Sequence, residues 1–312
     1  MTWLCYRYGP EKLLAWITRG ENSKRYFASR FALVYGKSLG NAWLDWIADE
    51  RKWQEMNLRA IRQYPVTHAQ RISNRALGSV SRAYYDPIAK VIYAAVRYPG
   101  TIAKVAAIHT DNGAIEHLQD IKGPGLYYVT SLAYDPADRK LYYTTDNNNW
   151  RDLNVSDLRT RHARRLLKDI RTGDLAFNAS DKSIWGIRHD NGLSSLVYIP
   201  SPYTEFKTAH EFGYGSDFFD IDVSPDGKHL TGAMADLSGR QKSVRFDTDK
   251  LRKGDASFEV LYDFEYNTPG NFVYSATGAL LPATLSRTQR ALERRLAAAR
   301  DRIPGYPRSH FA

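Results

Sequence analysis

Histidines and aspartates are the residues here whose types could do chemistry, and their spacing decides which chemistry. The eight histidines, at positions 68, 109, 117, 162, 189, 210, 229 and 310, are scattered without pair spacing. A helical zinc site needs two imidazoles one turn apart on one face, with an intervening glutamate as base, written H-E-x-x-H. The nearest approach, His210-Glu211-Phe212-Gly213-Tyr214, lacks the second histidine and sits in a Gly-rich, strand-like context. A metal cluster assembled in space from separate segments stays open. Asp146-Asn147-Asn148-Asn149 is rich in oxygen ligands but lacks the alternating acids and distal glutamate of a calcium loop, so it reads as a solvated hairpin tip. Gly78-Ser79-Val80-Ser81 is no G-x-S-x-G elbow, and neither a Walker loop nor G-x-G-x-x-G occurs. The single Cys5 excludes an internal disulfide framework and a cysteine-rich zinc site. No catalytic, cofactor-binding or metal-ligating residue is assigned on these grounds.

The aspartates show a different pattern. In DIDVSPDGKHLTG (Asp220–Gly232) a short strand enters the turn Ser224-Pro225-Asp226-Gly227 and a second strand leaves it. Proline presets φ, aspartate bonds its own backbone and glycine accepts positive φ. The segments starting at Arg82, Ser131 and Asp174 align with it without gaps, and one at Asn271 begins well and then loses the pattern. The turn-opening residues Asp86, Asp135, Asn178, Ser224 and Ser275 are separated by 49, 43, 46 and 51 positions. Gly278 closes the fifth turn as Gly227 closes the fourth. A residue recurring at one position of every unit makes the turn, so Asp86, Asp135 and Asp226 read as structural.

Stepping outward from the turns, each unit continues with a polar loop (RYPGT, DNNN, HDNG, ADLSG), a third strand and a closing strand such as EHLQDI or FEVLYDF. Four strands per unit at a period of 40–50 residues predict propeller blades. The fold class expected is mainly β: a partial β-propeller of about four four-stranded blades plus a stub, behind an N-terminal α-helical segment. The repeat over 76–281 resembles the TolB-type, WD-like propeller family, whose signature turn Ser-Pro-Asp-Gly-Lys is matched in full at Ser224–Lys228.

Residues 1–75 read as helical: Pro10-Glu11-Lys12 opens LLAWI, Asn22-Ser23 offers a cap before KRYFASRFALVYG, Gly36 stops that run, and a third helix spans about Leu39 to Arg62, closed by Pro65. Five of the seven tryptophans fall within the first 53 residues and are expected to pack these helices together. The stretches YRYGPEKLLAWI and RYFASRFALVYGKSLGNAWLDWIADE, within residues 4–60, resemble the C-terminal end of a gluzincin-type zinc peptidase domain of the peptidase-MA kind. The resemblance implies a remnant without its H-E-x-x-H helix, zinc belonging to the missing part, and a bacterial cell-envelope setting.

The net charge of +10 is uneven: residues 1–75 carry +7, residues 276–312 carry +5, and the central body −2. The excess lies in the flanks, with no motif or aromatic-lined stripe beside it, so no nucleic-acid partner is expected. The densest basic run of the body, RTRHARRLLKDIR (Arg159–Arg171), reads as an outer strand and its loop, equally suited to edge protection and to partner binding. No apolar run reaches membrane-spanning length, and the N-terminus lacks the arrangement of an export signal. Residues 282–312 change in character to a basic, helical or disordered tail. The expected function is a non-catalytic interaction module that binds protein or peptide through propeller loops, with self-association through unclosed blade edges as a further expectation. The chain is expected to be a fragment of a larger peptidase–propeller protein; the alternative is an accessory part of a zinc-dependent metallopeptidase, active only with the missing catalytic portion.

Overall fold

The computed structural model describes residues 1–21, 23, 26–63, 70–121, 131–147, 150–265, 270–275 and 277–283. It divides into two compact units, one of them spanning Gln70–Thr284. Each is described by itself.

The helical unit contains α1 (Thr2–Tyr8), α2 (Pro10–Ile17), α3 (Phe27–Tyr35) and α4 (Leu39–Ile61). Pro10 occupies the first turn of α2, where its missing N–H costs nothing. Gly36 ends α3 in the left-handed region at φ 68°. Ser38 caps α4 by accepting the Asn41 N–H at 3.1 Å. One expected start is displaced: α3 begins after Tyr26, and Ser23 instead closes a local turn by accepting the Gly20 N–H. Asn22 and Pro65 lie outside the described residues. The small core is Leu4, Phe31, Tyr35 and Ala42, with Trp3 and Trp16 packed against it. Trp16 meets Phe31 edge-on at 5.0 Å, and the Trp3 indole N–H donates to Asp49 at 3.0 Å. Trp43 departs from the packing expected of the tryptophans. It is exposed and touches Trp46 edge-on, because a two-layer unit this small cannot cover every face of a 23-residue helix.

The second unit holds four antiparallel sheets, each a simple meander, followed by a two-stranded hairpin. The first blade pairs Val91–Arg97, Lys104–His109 and Ile115–Asp120 behind an inner edge made of two pieces, Ser79–Val80 and Tyr84–Asp86. The second comprises Leu132–Asp135, Lys140–Asp146, Arg151–Asp157 and His162–Leu167, and the third Thr172–Phe177, Ile184–Asp190, Leu193–Ile199 and Lys207–Glu211. The fourth comprises Asp217–Val223, His229–Ala235, Gln241–Asp247 and Phe258–Glu265, with a short helix, α5 (Thr248–Arg252), in its last connection. Sequence periodicity did not anticipate α5, which is capped by the Asp247 carboxylate accepting from Asp249 and Lys250 N–H. The hairpin is Gly270–Tyr274 with Leu280–Ala283. The inner strands of the second, third and fourth blades and of the hairpin lie side by side in that order, which makes the arrangement a four-blade propeller array.

The blades are held face to face by apolar layers. Val91, Tyr93, Leu132, Tyr134 and Leu141 fill the first boundary. Tyr142, Leu153, Leu175 and Ile184 fill the second, and Trp185, Leu196, Phe218 and Phe246 the third. Each such side chain contributes about 1.5–3 kcal/mol on burial, so these layers dominate the stability of the array. On the far face of the first blade, Leu77 of the lead-in packs on Ala94, Val96 and Ala106. Beyond the fourth blade, Phe219 and Leu280 pack on Ala233. Both ends of the array are thus partly covered from within the chain.

Candidate functional site

The recurring turn residues are consumed by structure. Asp86 Oδ1 accepts the N–H groups of Ile88 and Ala89 at 3.0 Å, and its Oδ2 accepts the Tyr134 hydroxyl of the next blade at 3.0 Å. Burial pushes the Asp86 carboxyl up, but those donors and nearby Arg139 outweigh it and hold the group below the usual range. Asp135 accepts from Ala137 and Asp138 N–H and from Lys182 of the third blade. Asn178 accepts the Ser180 N–H and donates to the Gly227 carbonyl of the fourth blade at 3.1 Å. In three successive blades the same residue therefore ties its own turn and staples the following blade. Ser224 donates to Asp226 and accepts the His229 N–H, while Gly227 takes φ 74°. Pro225 is exposed on the turn tip. Ser275 accepts the Ala279 N–H, and Gly278 has φ 82°.

Polar groups that the turns do not absorb meet at the axis. Arg82, Ser131, Asp174 and Asp220 each stand four residues before a turn-opening residue: Asp174 and Asp220 lie on inner strands, Arg82 between the two inner pieces of the first blade, and Ser131 just before the second inner strand. The inner strands of the third and fourth blades bulge between Gly173 and Ala176 and between Phe219 and Asp222. Asp174 (φ 45°) and Asp220 (φ 54°) sit at those bulges in the left-handed region, which turns their N–H groups toward the preceding blade. The Asp174 N–H donates to Ser131 Oγ at 2.6 Å, and the Asp220 N–H to Asp174 Oδ2 at 3.3 Å. From the first blade Arg82 donates to the Ile221 carbonyl at 2.5 Å and lies 3.7 Å from Asp222. The other oxygen of Asp222 accepts the Tyr274 N–H of the hairpin at 2.8 Å. Burial and the neighbouring Asp220 charge push the Asp174 carboxyl up, against the pull of the Asp220 N–H, Arg82 and His189. Burial likewise raises Asp222 against the pull of Arg82.

Toward the start of the fourth inner strand, Ser194 Oγ lies 3.2 Å from His189 Nδ1 and donates to Asp217 at 2.9 Å. The hydroxyl stands between imidazole and carboxylate. A serine nucleophile requires the imidazole in the middle, so this trio orients a proton chain without activating the serine. No group of three potential metal-ligating side chains assembles among the described residues. His210 and Glu211 fall on the third blade's outer strand, where successive side chains point to opposite faces. His210 packs edge-on against Phe212, and burial lowers its pKa. Asn147 bridges Asp152 and Asp169 and accepts the Trp150 N–H, while Asn148 and Asn149 lie outside the described residues.

In a meander, the loops joining second to third strands and the links between blades emerge at the same end. That rim carries Ile102 (68% exposed), Leu237 (73%) and Tyr214 (81%), together with the half-exposed Tyr98 and Trp150. The Arg171 guanidinium stacks on the Trp150 ring at 3.4 Å. Leu237 lies so close to Gly215 (φ 75°) that a Cβ there would be 2.1 Å from it, which sets Leu237 beside Tyr214. Neither the axial cluster nor the rim carries a sequence motif. The signal for the first was the column four residues before each turn, whose members differ in type.

No family model matches the chain, and no curated protein matches it. Among solved structures it is similar to TolB from Acinetobacter baumannii, with 16% identity over 66% of this chain and 54% of that one, at TM-score 0.49. It is similar to the putative TolB from Agrobacterium tumefaciens, with 11% identity over 58% of this chain and 64% of that one, at TM-score 0.47. An oligogalacturonate lyase in complex with manganese shares 12% identity over 63% of this chain and 56% of that one, at TM-score 0.46. The chain thus spans between about half and two thirds of the length of these structures.

Proposed function

We propose that the chain is a non-catalytic propeller module that binds a protein or peptide segment across its loop rim. The observation that carries this reading is the set of large apolar side chains, Tyr98, Ile102, Trp150, Tyr214 and Leu237, contributed to one rim by the first, second and fourth blades and the link between the third and fourth. Exposed apolar groups gathered on one face mark interaction surfaces, and aromatic anchors dominate such surfaces energetically. The test is selection from a library of random 12-residue peptides, followed by binding to the variant Trp150→Ser/Tyr214→Ser/Leu237→Ser and to Ile88→Ser, on the opposite rim. Selected peptides should bind the triple variant about tenfold more weakly or worse and Ile88→Ser unchanged, since a single hot spot costs about 2 kcal/mol. Equal loss in both, or no selected peptide, ends the proposal.

A second reading, accessory to a zinc-dependent metallopeptidase, rests on the sequence resemblance of residues 4–60. It is supported locally by an α3 that closes on Tyr35-Gly36 in the left-handed conformation. Zinc-dependent peptide hydrolysis that appears only when the chain is joined to an H-E-x-x-H-bearing domain, and not with the purified chain alone, would favour it.

A further inference from the structure

The outer strands of the four blades differ in charge. Those of the first, third and fourth, IEHLQD, KTAHE and FEVLYDFE, each carry at least one carboxylate. The second blade's outer strand, His162–Leu167, lies within RTRHARRLLK, which has no acid from Arg159 to Lys168. Three of these cations are anchored: Arg159 donates to the Ala137 carbonyl, Arg161 pairs with Glu116 of the first blade, and Arg165 pairs with Asp152. Arg164 and His162 are exposed, and their side chains have no partner among the described residues. Among the described residues Lys168 reaches only its neighbour Asp169, at 3.6 Å.

The strand is also an edge. Among the described residues it pairs only with Arg151–Asp157, so along its other side alternate residues present N–H and C=O groups at ladder spacing. Its six residues span about 20 Å, the length of an ordinary strand. A mixed-sign edge favours strands of neither charge; one whose ionised side chains are all cationic repels basic strands and attracts acidic ones.

We infer that His162–Leu167 is an acceptor edge for an acidic, extended polypeptide segment, which adds to the second blade as a fifth strand. Ladder hydrogen bonds supply affinity, and the Arg164 and Lys168 charges, with the His162 ring N–H beside them, select acidic partners. Nucleic acid fits less well, because residues 159–168 contain no Phe, Tyr or Trp side chain on which a base could stack. The site is separate from the loop rim and does not depend on the function proposed there.

The probe is a fluorescein-labelled octapeptide of alternating glutamate and valine, followed by anisotropy on the full chain. Saturable binding is expected, weakened about tenfold or more by Arg164→Glu/His162→Glu and kept by Arg164→Lys, a tenfold change corresponding to about 1.4 kcal/mol. N-methylation of alternate peptide amides should abolish it, and this result holds even if the charge-reversal variant folds poorly. The rim variant Trp150→Ser/Tyr214→Ser/Leu237→Ser should bind the octapeptide normally, so the two sites fail independently. Absent binding, equal binding of the N-methylated peptide, or tighter binding of a 12-nucleotide oligothymidine overturns the proposal.

Discussion

The Asp220 backbone N–H donates to the Asp174 carboxylate at 3.3 Å across the boundary between the third and fourth blades. The Asp220 side chain belongs to the same residue, so this hydrogen bond brings a second carboxylate close to the first. Burial and that repulsion raise the Asp174 pKa. Between the unfolded and folded pKa values the folded state therefore holds a proton that the unfolded chain releases, and stability from this group is lost as pH rises through the folded value. Asp174→Asn keeps the acceptor and removes the charge. It should be more stable than the wild type at pH 7 in urea titrations, with the difference shrinking toward about pH 4, where an ordinary carboxyl protonates. A variant less stable at pH 7 would show that the charge is used.

Asp86 should behave with the opposite sign. Its folded pKa is depressed by Ala89 and Ile88 N–H, the Tyr134 hydroxyl and Arg139, which together outweigh burial. Its contribution is present above the ordinary carboxyl range and is lost as pH falls through the folded value. Asp86→Ala removes the acceptor of two turn N–H groups and of the buried Tyr134 hydroxyl and should cost about 2–4 kcal/mol at neutral pH. Tyr134→Phe removes one inter-blade bond and should cost about 1 kcal/mol. Comparable losses from both would place the stabilisation in the staple between blades and not in the turn.

These two aspartates show how much the sequence reveals. Asp86 recurs as a turn opener, and local chemistry forces that reading: the carboxylate, the two N–H groups it accepts and the following glycine-like bend lie within a few residues. The hairpins, the period and the four-strand meanders follow from the same local signals. Asp174 shares its column with Arg82, Ser131 and Asp220, residues of three different chemistries. No pattern of types marks the column; it becomes a cluster only when adjacent blades bring the four positions together. The bulges are equally hidden: aspartate tolerates the left-handed region better than most residues, but a lone aspartate inside a strand-forming run does not mark a bulge. The loop rim was expected only as loops, because exposure of Tyr214 or Leu237 depends on what lies beside them.

Asp222 joins three parts of the array: it lies near Arg82 of the first blade, sits within the fourth inner strand, and accepts the Tyr274 N–H of the hairpin. Asp222→Ala should speed amide exchange at Tyr274 and its hairpin neighbours, measured by hydrogen–deuterium exchange. The strands of the second blade, secured by their own apolar layers, should be unchanged. Uniform acceleration across all blades would mean that the carboxylate supports the global fold and does not anchor the hairpin locally.

Gly227 and Gly278 close equivalent turns at φ 74° and 82°, yet their surroundings differ. A Cβ at Gly227 would lie 2.4 Å from Asn178 Oδ1 and 2.6 Å from Ser180 Cβ of the preceding blade, whereas at Gly278 it would meet none of the described residues within 4 Å. The Gly227 carbonyl also accepts from Asn178 Nδ2 and from Thr248 Oγ1, so displacing the turn breaks two further bonds. Backbone strain alone costs alanine about 1–2 kcal/mol in the left-handed region, and this is all that Gly278→Ala should show. Gly227→Ala should cost about 3–5 kcal/mol, the excess coming from the inter-blade contact and its hydrogen bonds. Urea denaturation of the two variants separates the terms. Equal destabilisation would show that turn conformation, and not the packing of one blade's turn on its neighbour, sets the requirement for glycine.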